Sequence, residues 1–113
     1  MNLAPCEPLT QVVFIHDYFQ LVFQGETLSI YNQASLRHGA SVLVSGEPGF
    51  CDALVALIDQ KAKSAASRPG VLLALEFTSG AELHVHTSSA SQGQVEAFIF
   101  VSQSGELVVG QNG

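Results

Sequence analysis

An alternation of apolar and polar side chains runs through residues 18–31 and constrains the fold more than any other feature. A period of two is that of a β-strand with one buried face, because successive side chains point to opposite faces. The Gln24-Gly25-Glu26 segment interrupts the alternation, and glycine between polar residues is typical of a tight turn. The stretch therefore predicts an antiparallel hairpin. Its apolar face would comprise Phe19, Leu21, Phe23, Leu28 and Ile30.

Two more hairpins are predicted in the last third of the chain. Residues 71–77 and 81–87 flank one Ser-Gly turn, and residues 94–102 and 106–109 flank another. The strand at 94–102 carries apolar side chains on both faces. Such a strand is typical of a central position with cover on each side, supplied by the rest of the fold or by a partner subunit.

A helix is predicted over residues 50–67. Phe50, Leu54 and Leu57 follow the helical spacing of one buried stripe. Arg68-Pro69-Gly70 would end it, since proline cannot continue a helix. This helix is expected to pack on the sheet.

Together these elements predict an α+β fold. We expect a strongly bent antiparallel sheet of about six or seven strands with the one helix packed on it, and a barrel-like closure of the sheet is left open. At 113 residues, 1–113 is expected to be a single domain. Residues 1–10, with two prolines, are expected to form an extended lead-in.

The charge balance excludes several classes of partner. Four basic residues stand against ten acidic ones, for a net charge of −6. Nucleic-acid binding needs a basic surface to neutralise phosphates, and binding to an anionic membrane needs one too, so neither is expected. No apolar run approaches a membrane span or a signal peptide. The few, distant cysteines, Cys6 and Cys51, fit a reducing compartment, so a cytoplasmic location is expected, although one disulfide is not excluded.

Charged residues make up only 12% of the chain and apolar ones 47%. This charged fraction is about half the usual share. Either uncharged polar residues cover the surface or another chain covers part of it. We therefore expect a homodimer.

Aromatic residues near the first hairpin and in the two-faced strand predict an apolar ligand pocket. Its candidate lining residues are Tyr18, Phe19, Tyr31, Glu96, Phe98 and Phe100. Burial would raise the pKa of the Glu96 carboxyl and make it a candidate acid or ligand group. The alternative is an edge position, where a charge discourages stray strand pairing.

Two polar pairs are candidates for chemistry. Asp17 could orient His16 as a general base, or its carboxylate could only cap a chain bend by accepting hydrogen bonds from nearby backbone N–H groups. His84 and His86 would share one face of a strand and could hold half of a metal site, yet the sequence offers no clear third ligand. The alternative for this pair is a solvated outer face. No cofactor is predicted.

Three segments resemble small hairpin-rich bacterial domains of unknown function. They are Asp17-Tyr18 with the hairpin that follows, residues 75–85, and Glu96-Ala97-Phe98 before residues 105–109. The similar sequences often have Trp where this chain has Phe98, and they end in a proline-rich segment that this chain lacks. The resemblance implies a loose association with mobile, strain-specific genes. Such a setting would suit an immunity or accessory protein.

The sequence therefore predicts a small, non-catalytic binding or interaction module that is homodimeric and carries an aromatic, apolar pocket. A small apolar ligand would be its target. The first alternative is a protein-partner role, immunity-like or accessory, against a basic protein that the acidic surface would attract. The second is a small hydrolase-like or metal-dependent enzyme that uses His16 and Asp17, or His84 and His86.

Overall fold

The computed structural model describes residues 7–16, 18–68, 71–86, 96–102, 104–105 and 107–111. Within these ranges, nothing is said of the side chains of Ser67, Arg68, Val71, Leu72, Glu96 and Gln111. No helix in this part of the chain is long and apolar enough to cross a membrane.

The described residues form one short helix and a set of strands, and the strands belong to two sheets. In chain order the elements are β1 (Leu9–Phe14), β2 (Phe19–Phe23), β3 (Glu26–Ile30), β4 (Ala34–His38), β5 (Ser41–Val44), α1 (Phe50–Val55), β6 (Ala62–Arg68), β7 (Val71–Phe77), β8 (Glu82–His86), β9 (Glu96–Val101) and β10 (Leu107–Gln111). The expected lead-in is shorter than predicted, because Leu9 and Thr10 already belong to β1.

The strands form two five-stranded sheets with the orders β1-β2-β3-β9-β10 and β5-β4-β8-β7-β6. Every pairing is antiparallel. The predicted antiparallel, broadly α+β character is confirmed, but the single bent sheet of six or seven strands is wrong. The barrel-like alternative is wrong as well, because neither sheet closes on itself within the described residues.

The chain crosses from the first sheet to the second directly after β3. After β3, the backbone N–H groups of Tyr31 and Asn32 both donate to the Ala97 carbonyl of β9, at 2.9 and 3.3 Å. The chain then leaves the first sheet, and Ala34 begins β4 in the second. The break in the alternation after Tyr31 therefore marks a change of sheet.

The hairpin predicted from residues 18–31 is present as β2 and β3. Phe23 pairs with Glu26, so the turn consists of Gln24 and Gly25. Gly25 has a φ of 79°, a left-handed conformation that glycine adopts without steric cost.

The helix is much shorter than predicted. It ends at Val55, and the segment expected to continue it to residue 67 contains β6 instead. Backbone hydrogen bonds hold the end of the helical region to β1, since Asp59 N–H donates to the Leu9 carbonyl and Leu9 N–H donates to the Gln60 carbonyl. Asp59 itself has a φ of 83°, which no helix continues through. Pairing of β6 with β7 overrides the local helical pattern.

One buried cluster lies between the two sheets and joins them to α1. The first sheet contributes residues such as Leu21 and Ile30, the second contributes Leu75 and Leu83, and α1 contributes Leu54. A two-layer arrangement is thus what buries the alternating apolar residues of both sheets.

Strand β9 has the two apolar faces that the sequence predicts. Phe98 and Phe100 face the core and are buried, whereas Ile99 is half-buried and Val101 exposed on the other face. The inner face therefore belongs to the sandwich, and the outer face of β9 is left open.

Candidate ligand-binding pocket

A pocket of about 410 Å³ opens at one end of the sandwich. It lies where the β1–β2 connection, the crossing from β3 to β4 and the segment before α1 meet. The described lining residues are Phe14, Ile15, His16, Tyr18, Phe19, Ile30, Tyr31, Asn32, Gln33, Ser45, Gly46, Phe50 and Cys51. A volume of this size falls within the range of small-molecule sites.

Aromatic rings form the floor and one wall of the pocket. Phe19 and Phe50 are buried and meet edge to face, with ring centroids 5.8 Å apart and planes at 76°. Tyr18 and Tyr31 are half-buried, and their centroids lie 4.8 Å apart. Phe14 packs 6.5 Å from Phe19 and is partly open to solvent. Ring pairs at these separations are favourable in themselves and stay in place without a ligand.

Local backbone structure positions the two tyrosines. Ile15 N–H donates to the Tyr18 carbonyl over 2.9 Å, so the β1–β2 connection is tight and Tyr18 is held beside the mouth. Tyr31 is fixed from the other side by its bond to the Ala97 carbonyl. Because Phe19 pairs with Ile30 in the β2–β3 ladder, the residues that flank this pair come together.

Hydrogen bonds hold the opposite rim, at Ser45 and Gly46. Ser45 N–H donates to the Ala34 carbonyl at 2.8 Å, and Ser45 Oγ accepts from Ala34 N–H at 3.0 Å. The Glu47 carboxylate accepts from Val44 N–H at 2.7 Å and closes the turn that carries Gly46. These hydrogen bonds therefore fix the position of this rim in the folded protein.

The polar part of the lining consists of amide, hydroxyl and thiol groups and the imidazole of His16. Asn32 Nδ2 donates to the His86 carbonyl at 2.8 Å, which ties this side of the mouth to β8. Gln33 accepts from His86 N–H through its own carbonyl at 3.0 Å. Among the described lining residues there is no Lys, Arg, Asp or Glu. The pocket therefore offers a ligand aromatic surface together with neutral hydrogen-bonding groups.

The structure brings together only part of the predicted site. Tyr18, Phe19, Tyr31 and His16 line this one pocket. Phe98 and Phe100 do not, because they point into the core, where both are buried. Asp17 lies outside the described residues, and so does the side chain of Glu96.

Sequence reasoning missed the second half of the lining. Phe50 was assigned to a helix that packs on the sheet, and Ser45, Gly46 and Cys51 were given no part in the pocket. Phe50 at the start of an apolar stripe signals burial, but no local pattern indicates which aromatic ring it meets.

The second polar pair, His84 and His86, lies away from the pocket lining, on the outer face of the second sheet. His84 Nε2 donates to Glu82 Oε1 at 2.8 Å, and His86 Nε2 shares a 2.8 Å hydrogen bond with Ser35 Oγ. The two rings are 6.4 Å apart, so both histidines do share a face. The solvated outer face is wrong for His84, which is only 5% exposed.

These hydrogen bonds engage one of the two nitrogens of each imidazole, Nε2. Each Nε2 turns to a different protein partner, and the described residues contain no group of three or more possible ligands in metal-binding range. Burial lowers the pKa of His86 below its usual value, and the neighbouring His84 and Arg37 lower it further. The arrangement joins β4 to β8 through side chains and favours a structural role.

Comparison with known proteins does not identify a relative of this chain. No family model, no curated protein and no solved structure matches the chain. The resemblance to hairpin-rich bacterial domains therefore stays an expectation, and the pocket must be interpreted from this chain's own residues.

Proposed function

We propose that this chain is a non-catalytic binding module that holds a small, uncharged, apolar ligand in the pocket beside Tyr18 and Tyr31. One observation carries the proposal. The buried Phe19–Phe50 pair and the half-buried Tyr18–Tyr31 pair line a single opening of about 410 Å³.

The chemistry of the lining selects the kind of ligand. Apolar and aromatic surface gains free energy when a ring displaces water from it, at roughly 25 cal/mol per Å² of apolar area buried. A carboxylate or phosphate would find no lysine or arginine among the described lining residues, and its desolvation would be uncompensated. For a ligand with one or two rings we expect a Kd between about 1 mM and about 1 μM.

The alternatives gain less support. His84 and His86 are each engaged by a protein side chain, so we do not adopt the form of the enzyme alternative that uses this pair. His16 belongs to the pocket lining, and the proposed binding does not require it to act as a base. The exposed, free thiol of Cys51 is compatible with the cytoplasmic location that we propose.

Indole provides a direct test, because the chain contains no tryptophan and the fluorescence of indole can be excited without a protein background. Titration of the protein into indole should give a saturable change in emission. Cyclohexanol, an aliphatic probe of similar polarity without a π-face, should compete much more weakly. Tyr31→Ala should weaken indole binding about fivefold, since one stacked ring contributes on the order of 1 kcal/mol.

Val42→Ala is the matched control, because Val42 is an exposed strand residue outside the pocket lining. It should leave indole binding unchanged. Absence of saturable binding, or equal effects of the two substitutions, would contradict the proposal.

A further inference from the structure

The outer face of the first sheet carries no charged side chain among the described residues. In an antiparallel sheet, directly opposed residues point to the same face, so the pairing register defines two rows across this face. The rows are Gln11, Val22, Thr27, Val101 and Leu107, and Val13, Gln20, Ser29, Ile99 and Val109. A chain with net charge −6 thus has a five-stranded surface on which none of its described charges lies.

The apolar residues of this face gather at one side. The middle strands contribute polar groups, and Gln20 Nε2 donates to Ser29 Oγ at 3.0 Å. On β9 and β10, four aliphatic side chains stand together: Ile99, Val101, Leu107 and Val109. We call these four the β9–β10 patch. Leu107 is 60% exposed, Val109 37% and Val101 36%.

The outer face of the second sheet differs in charge. There Arg37 lies opposite Glu82, Glu82 lies opposite Glu76, and Lys63 pairs with Glu76 at 3.5 Å. The exposed aliphatic Val42 lies beside Arg37 on that face. The exposed aliphatic side chain on the second sheet therefore lies next to charged residues, whereas the described neighbours of the β9–β10 patch are uncharged.

We propose that the β9–β10 patch packs against the same patch of a second copy of this chain about a two-fold axis. Two acidic copies repel each other across much of their charged surface, and the described residues of this face bring no like charges together when it meets its own copy. Among those described residues a basic protein partner would find no acidic side chain to pair with. In this dimer the outer face of one β-sheet stacks on that of another, as the inner faces do within each chain, so the contact adds a layer to the sandwich.

The size of the patch sets the strength of this dimer. Four aliphatic side chains form a contact smaller than the roughly 800 Å² per partner of a standard stable interface. The dimer should therefore be reversible, and the mass in solution should depend on protein concentration.

Light scattering coupled to size exclusion tests the proposal with matched variants. The unaltered chain should rise from the mass of one chain towards that of two as concentration increases a hundredfold. Leu107→Lys places a charge at the centre of the contact and should keep the mass of one chain throughout. Val42→Lys adds the same charge to an equally accessible strand on the other sheet and should behave like the unaltered chain.

A second pair of variants controls for the possibility that Leu107→Lys disturbs folding. Val101→Thr and Val109→Thr keep the branched shape of valine and its strand preference, and they should shift the dimer to higher concentration without lowering the melting temperature of the monomer much. A single-chain mass at every concentration would overturn the proposal. So would a dimer that Leu107→Lys and Val42→Lys affect equally.

The dimer and the ligand pocket can fail separately, because they share no described residue. Leu107→Lys should still bind indole as the unaltered chain does. Loss of self-association with intact indole binding, or the reverse, identifies which of the two proposals is at fault.

Discussion

The ring of Phe98 lies against the backbone of Gly110, its partner across the β9–β10 ladder. A Cβ atom added to Gly110 would come within 2.6 Å of Phe98 Cζ and would collide with the near edge of the ring. Glycine at this position thus lets a large core side chain lie flat over the edge strand, a close approach that no other residue permits.

Gly110→Ala should therefore destabilise the protein by roughly 1–3 kcal/mol, the usual range for an overpacked core. Chemical denaturation measures the change. In a Phe98→Leu background the smaller side chain leaves room, and the added methyl group should be tolerated better. If alanine at this position had the same effect in both backgrounds, the contact with Phe98 would not be its cause.

Stability should fall as pH drops through about 6.5, the ordinary pKa of histidine. Burial, then the charges of His84 and Arg37, lower the pKa of His86 in the folded state, so between that lowered pKa and about 6.5 the unfolded chain binds more protons. The free energy of unfolding therefore decreases with falling pH until the lowered pKa is passed. Urea denaturation at pH 7.5 and pH 5.5 checks the sign.

His86→Gln is the control for this pH effect. Glutamine can still reach Ser35 with a hydrogen bond but does not titrate, so the loss of stability between the two pH values should be smaller. An unchanged pH dependence would assign the effect to other groups.

The Cys51 thiol should report on pocket occupancy. It is free, exposed and part of the lining, so a bound ring should obstruct its alkylation by iodoacetamide. In a Cys6→Ser background, indole at ten times its Kd should slow the reaction by up to about tenfold, in proportion to occupancy. At the same indole concentration Tyr31→Ala should reduce this protection to about two- to threefold, because its weaker binding leaves the pocket only partly occupied. A reaction rate that indole never affects would argue against a ligand near Cys51.

Removal of the Lys63–Glu76 ion pair should have little effect on stability. Its atoms lie 3.5 Å apart, and both side chains are well exposed to solvent. Exposed pairs of this kind contribute between about 0 and 1 kcal/mol, and salt screens them. Lys63→Ala should change the free energy of unfolding by less than about 1 kcal/mol. A larger loss would indicate that the lysine stem itself supports β6.

Local patterns were informative where the structure is also local. The period of two predicts the β2–β3 hairpin and puts Phe98 and Phe100 on one face of their strand. Because both faces of that strand are apolar, the alternation does not show that this face is the buried one, and the two rings were wrongly expected in the pocket. The stripe at Phe50 and Leu54 likewise predicts where the helix starts.

Long-range pairing explains what the sequence could not predict. Residues 62–66 are three alanines, a lysine and a serine, a composition that locally favours helix over strand, and only pairing with β7 makes them a strand. The crossing between sheets after Tyr31 follows from the same kind of contact. The pocket combines Tyr18 with Phe50, and no spacing in the sequence connects two segments that meet only after the sheets have packed.

The central claim is that the pocket beside Tyr18 and Tyr31 binds an uncharged aromatic ligand, and NMR mapping tests it most directly. Indole would be titrated into uniformly ¹⁵N-labelled protein while backbone amide shifts are followed. We predict saturable shifts concentrated at Tyr18, Tyr31, Asn32, Ser45 and Gly46. Shifts that fail to saturate, or that gather on the outer face of β9 and β10 instead, would contradict the claim.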